Sequence, residues 1–204
     1  MPSTLTRRLS LIATAAFAAA ILSACSTDSD DSMSSMDAAG TSMTSEMTND
    51  MAAEPGQQDD VMFAQMMIPH HEQAVEMADM ALDKATSSAE VRQLAVDIKA
   101  AQDPEIETMR GWLEAWGAPQ EAPSAMEHDS GMMADTDMSA LAEAEGTEFD
   151  QMWLTMMIEH HEGAITMARD VQSTTEDEEV AALAEDIIAA QEAEIATMQT
   201  LLEP

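Results

Sequence analysis

The chain has 204 residues and a formal net charge of −33, with 40 acidic residues against 7 Lys and Arg. That leaves room for one ordinary domain and a tail, and it excludes nucleic acid as a partner, because such a surface repels phosphates and gathers cations. Methionine occurs 21 times; flexible core filler explains part of this, but not Met33, Met36, Met43, Met47 and Met51, which lie in a Ser/Thr/Asp-rich stretch unable to pack.

Residues 1–24 read as an export signal. Arg7 and Arg8 form a positive start, and an apolar run follows from Leu9 to Ile21. The run is short for a membrane-spanning helix. Leu22-Ser23-Ala24-Cys25 then resembles the lipobox of bacterial lipoproteins, in which the cysteine becomes the lipidated first residue. The expectation is an exported protein anchored to the membrane through Cys25, on its extracytoplasmic face. Cleavage before Cys25 removes two Arg and no acid, so −33 becomes −35. A single cysteine forms no internal disulfide, so the fold stands on packing.

Residues 25–58 are expected to be a disordered tether, rich in Met, Ser and Asp and poor in large aliphatics. Residues 59–204 are predicted to be all-α. The first helix is expected over 60–85, with Phe63, Met66, Met67, His70, Ala74, Met77 and Ala81 on one face. His70 falls near the middle of that face and His71 on its flank. Pro69 conflicts with the pattern, and a continuous or gently kinked helix is expected. The second helix is predicted to open at a Ser87-x-x-Glu90 capping box and to end near Trp116. Its inward face includes Ile98, Gln102, Glu105, Met109 and Leu113. Gln102 and Glu105 are costly there unless they find partners.

A polar linker over 118–138 carries Met126, His128, Met132 and Met133, and 139–145 reads as a short lead-in helix. The third helix is expected over 147–171, with Trp153, Met156, Met157, His160, Ala164 and Met167 inward. The fourth is expected to open near Thr175-x-x-Glu178, with Ile187, Gln191, Glu194 and Met198 inward. Hairpin one (59–117) therefore returns as hairpin two (139–204), which predicts a ferritin-like four-helix bundle with a pseudo-twofold axis.

The repeat centres on Met66-Met67-Ile68-Pro69-His70-His71 and Met156-Met157-Ile158-Glu159-His160-His161, 90 residues apart. These copies hold four of the five histidines. Every His sits one helical turn after a Met. Thioether plus imidazole suits copper(I), with silver as its mimic. The candidate metal ligands are Met66, Met67, His70, His71, Met77, Met156, Met157, His160, His161 and Met167. Gln102, Glu105, Met109, Gln191, Glu194 and Met198 are expected around them. Glu105 and Glu194 are placed to accept hydrogen bonds from His70 and His160 and so fix their tautomers.

The paired M-I-x-H-H motifs, the trailing A-I/V-x-M-A and the Q-x-x-E-I-x-x-M of the partner helices resemble the bacterial family called domain of unknown function 305. The resemblance covers about residues 59–203. It implies a ferritin-like bundle, usually exported, with some members binding copper in the cell envelope. It singles out Met67, His70, His71, Met77, Met157, His160, His161 and Met167.

Two other readings stand beside copper sequestration. A hard-metal site for iron, manganese or zinc could use His70, His160, Glu105 and Glu194. Against it, Met67 and Met157 occupy the positions three before a His where a ferritin-like oxidase carries Glu. The other reading is a structural or protein-interaction module of the cell envelope. No nucleophile–base set, phosphate loop or dinucleotide fingerprint occurs, so no enzymatic activity is expected. A copper-handling protein partner stays open.

Overall fold

The computed structural model describes residues 55–122 and 131–203. The expected signal segment, Cys25, most of the tether, Met126 and His128 lie outside these residues. The described part holds five helices: α1 (Pro55–Asp83), α2 (Ala89–Trp116), α3 (Asp135–Glu143), α4 (Gly146–Gln172) and α5 (Glu178–Leu202). No strand occurs among the described residues, and no helix among them is long and apolar enough to cross a membrane.

α1 pairs with α2 and α4 pairs with α5, and the two hairpins meet chiefly along α1 and α4. Two apolar clusters fix the direction of that meeting. Phe63, Ala64 and Met67 from early α1 pack with Ala164, Ala168 and Val171 from late α4. Ala74, Met77 and Ala81 from late α1 pack with Phe149, Trp153 and Met157 from early α4. The helices are therefore antiparallel, and the Trp153 Nε1–H donates to the Met77 carbonyl at 2.8 Å across the seam.

The helix starts differ from the sequence expectations in instructive ways. α1 begins at Pro55, five residues early, because proline suits a first helical turn. The cap of α2 is Ser88, whose Oγ accepts from the Val91 N–H at 3.3 Å. Ser87, the expected cap, instead donates its Oγ–H to Asp150 at 2.9 Å. Asp150 also accepts from the Ser88 N–H at 3.0 Å, so a carboxylate of hairpin two holds the start of α2. Its repeat counterpart, Asp60, is held by Thr175 in the loop before α5, and burial raises its pKa above the usual carboxylate value. α5 is capped by Asp177 rather than Thr175, its Oδ1 accepting from Glu179 N–H at 2.8 Å. Pro69 and Pro104 both lie inside continuous helices.

The short helix α3 starts four residues and ends two residues earlier than expected, and it buries Met138 and Leu141 in the cluster around Trp153. Lys84 holds it by donating to the Ala142 carbonyl at 2.7 Å. The linker ahead of it is pinned at two places. Gln73 Oε1 accepts from the Met133 N–H at 2.7 Å, and Gln73 Nε2 donates to the Met133 carbonyl at 2.9 Å. Gly131, at φ 80°, presses on α4 so closely that a Cβ there would lie 2.9 Å from the Gly163 Cα. Gln73 and Gly163 occupy equivalent positions of the two repeats. The repeats differ there because the linker meets each helix in a different way.

Candidate metal centre

Between the two apolar clusters lies one polar layer. His70, His71, His160 and His161 are all fully or almost fully buried, and Gln102 and Gln191 join them. α1 and α4 supply the histidines, and α2 and α5 supply the glutamines together with half-buried Glu105 and Glu194. The rings of His70 and His160 lie against each other with centroids 3.7 Å apart and planes tilted 36°. That contact sits where the pseudo-twofold axis relates the two motifs. Each ring lies 6.5 Å from the ring of its sequence neighbour.

The carboxylates choose different histidines from those expected. His71 Nε2–H donates to Glu105 at 2.8 Å, and His161 Nε2–H donates to Glu194 at 2.7 Å. His70 and His160 instead meet each other. His71 was expected on the flank of the helix, yet it is fully buried, because α2 brings Glu105 to that flank. A carboxylate at Nε2 fixes the tautomer and leaves the lone pair at Nδ1. The Nδ1 atoms of His71 and His161 are buried without a hydrogen-bond partner among the described residues, as are His160 Nε2, Gln102 Oε1 and Gln191 Oε1. An unsatisfied buried polar atom costs about 1–3 kcal/mol, so stability alone does not select this layer. The chemistry of the buried, unpartnered nitrogen lone pairs of His71, His160 and His161 fits a metal ion.

At His160 protonation does not block that chemistry. Burial, then repulsion from His70, His161 and His71, hold the His160 pKa well below its ordinary value of 6.5. The ring is neutral at pH 7 and available as a donor.

The methionines divide into two groups about this layer. Met67 and Met109 pack on one side of it, with half-buried Met167 against the same cluster. Met157, Met198 and Met77 pack on the other side. Met67 and Met157 are one helical turn from the histidines, whereas Met77 and Met167 are about two turns away. The candidates therefore do not all meet at one level. Met66 and Met167 line an open cleft at the start of α1 and the end of α4, together with Met62. Met156 is buried beside Trp153. Sequence reading missed Met62 as a partner of Met66; their spacing of four on α1 was the available signal. Glu72 and Glu162 are exposed, as expected, and Glu72 pairs with Arg110.

Among the described residues, no three His, Cys, Asp or Glu side chains come together as a metal-binding group. The hard-metal alternative thus lacks a ready donor set there, while thioethers flank the histidines on both sides.

Comparison with known proteins follows the same lines. The family model Domain of unknown function (DUF305) matches residues 60–202. A DUF305 protein from Streptomyces coelicolor, named as a candidate secreted protein, is 35% identical with a TM-score of 0.66, covering 71% of this chain and 90% of its own. A DUF305 fragment from Deinococcus radiodurans is 32% identical with a TM-score of 0.66, covering 74% and 97%. CopM in its Cu(I)-bound form is 38% identical with a TM-score of 0.60, covering 70% and 94%. CopM structures in silver-bound, Cu(II)-bound and apo forms are similar too. No curated protein matches the chain.

Proposed function

We propose, from the premise that this chain belongs to the DUF305 family, that it is an exported copper(I)-binding protein that sequesters the ion without enzymatic turnover. One observation carries the reading: a buried layer of four histidines, in which His71 Nδ1, His160 Nε2 and His161 Nδ1 have no hydrogen-bond partner among the described residues, flanked on each side by thioethers. Imidazole nitrogen and thioether sulfur together favour copper(I) over hard divalent ions. The similarity to CopM, solved with Cu(I), Cu(II) and silver, supports the same metal class. No three of these imidazoles come together among the described residues, so the ion would be held by no more than two of His70, His71, His160 and His161, completed by Met67 or Met157. Glu105 and Glu194 orient the rings from behind. The strongly acidic surface raises the local cation concentration. The lipobox-like Leu22-Ser23-Ala24-Cys25 supports anchoring at the outer side of a membrane.

The test is the metal content of protein purified after growth in copper, measured by mass spectrometry. The wild-type chain should carry copper, and His70→Gln combined with His160→Gln should lose most of it while keeping its helical spectrum. Equal, near-zero copper in both proteins would favour a structural or interaction module.

A further inference from the structure

Met62, Met66 and Met167 are half-buried and line one open cleft of about 310 Å³, formed by the first turns of α1 and the last turns of α4. Asp59 and Asp170 stand in its lining. From this cluster we propose a second soft-metal site, a surface site that takes copper(I) or silver(I) through the three thioethers and is separate from the buried histidine layer.

The repeat gives the trio its meaning. A shift of 90 residues carries Met62 to Met152 and Met66 to Met156, and carries Met77 to Met167. Met152, Met156 and Met77 therefore form the equivalent trio in the other half. There Met77 and Met156 are buried and half-buried Met152 packs against the same apolar cluster, which Met133, Met138 and Leu141 from the linker and α3 complete. Packing is a sufficient account of those three. The first trio faces an open cleft instead. Among the described residues Met62 and Met66 belong to neither apolar cluster, and Met167 packs on the edge of one while also lining the cleft; thioethers so placed retain their sulfur lone pairs. Three thioethers make a soft donor set that suits a monovalent d¹⁰ ion and offers zinc, calcium or magnesium nothing. The two aspartates add negative charge at the mouth, which draws cations from solution.

The site rests on the copper(I) reading above, yet it fails or stands by itself. The experiment labels the methionine methyl groups of the full chain with ¹³C and titrates silver(I) in chloride-free buffer, with NMR resolving each methyl. Silver(I) needs no reductant. The methyl signals of Met62, Met66 and Met167 should shift, and should still shift in the His70→Gln/His160→Gln variant. The near-isosteric Met62→Leu/Met66→Leu variant should bind fewer silver ions by mass spectrometry, with the Met67 and Met157 methyls still responding. Shifts at Met67 and Met157 with Met62, Met66 and Met167 unmoved would overturn the cleft site and leave the buried site standing. Shifts only at the cleft would uphold the cleft site and remove the buried one. No shift at any of the five would overturn both.

Discussion

His160 carries the clearest electrostatic signature in the molecule, because it is both buried and surrounded by other imidazoles. Its pKa is depressed in the folded state, so the unfolded chain binds the proton more readily. Stability is therefore full above the ordinary value of 6.5 and falls as the pH drops below it, toward the depressed folded pKa. One such group contributes a slope of up to about 1.4 kcal/mol per pH unit. His160→Gln should flatten the curve of urea midpoint against pH between about pH 6.5 and pH 5. Parallel curves for the two proteins would contradict this. Acidification is a weak probe of His160 as a metal donor, since burial holds its pKa well below the ordinary imidazole value. The sequence showed that the His pairs face inward but not which member meets a carboxylate. Adjacent residues on a helix differ by 100°, and the choice between His70 and His71 is made by α2, where Glu105 reaches the flank.

At the scale of the element, the repeat made the four long helices legible, since each carries an apolar stripe of helical period. Their starts were less legible. Ser87 and Ser88 are both competent caps, and the tertiary contact from Asp150 decides between them. The linker was legible only as polar chain, because its anchors depend on Gln73 and on bare helix backbone at Gly163. Gly131 carries two constraints together, a left-handed φ of 80° and a Cβ position 2.9 Å from the Gly163 Cα. Gly131→Ala should thus destabilise the domain by about 1–3 kcal/mol. The effect should appear as a lower thermal midpoint with an unchanged helical spectrum. Gly117→Ala, also at positive φ but with open space around it, isolates the backbone share of the cost and should be milder. An equal loss in the two variants would show that the linker contact contributes nothing.

At the scale of the whole molecule, the two hairpins build one polar layer and two thioether-bearing flanks, and the linker helix makes the halves unequal. The fold was legible in the sequence because the 90-residue repeat states the hairpin twice. The division of the methionines was not, because a helical wheel gives direction and no depth; burial against α3 separates Met156 from Met66. The expected lipid anchor belongs to this scale as well. Cys25→Ser should shift the protein from the membrane fraction to the soluble exported fraction, and unchanged detergent partitioning would contradict it.

The central claim is that thioethers and imidazoles at the buried layer share one copper(I) ion. Copper(I) affinity by competition with a chromogenic chelator under reducing conditions tests it most directly, comparing the wild-type chain with Met67→Leu/Met157→Leu. Leucine nearly matches methionine in volume and spares the packing of these fully buried positions. The account predicts weaker copper(I) binding in the variant, by about tenfold or more, equal to about 1.4 kcal/mol, with zinc affinity unchanged. Equal copper(I) affinity in the two proteins would mean that Met67 and Met157 are core packing alone, and would contradict the claim.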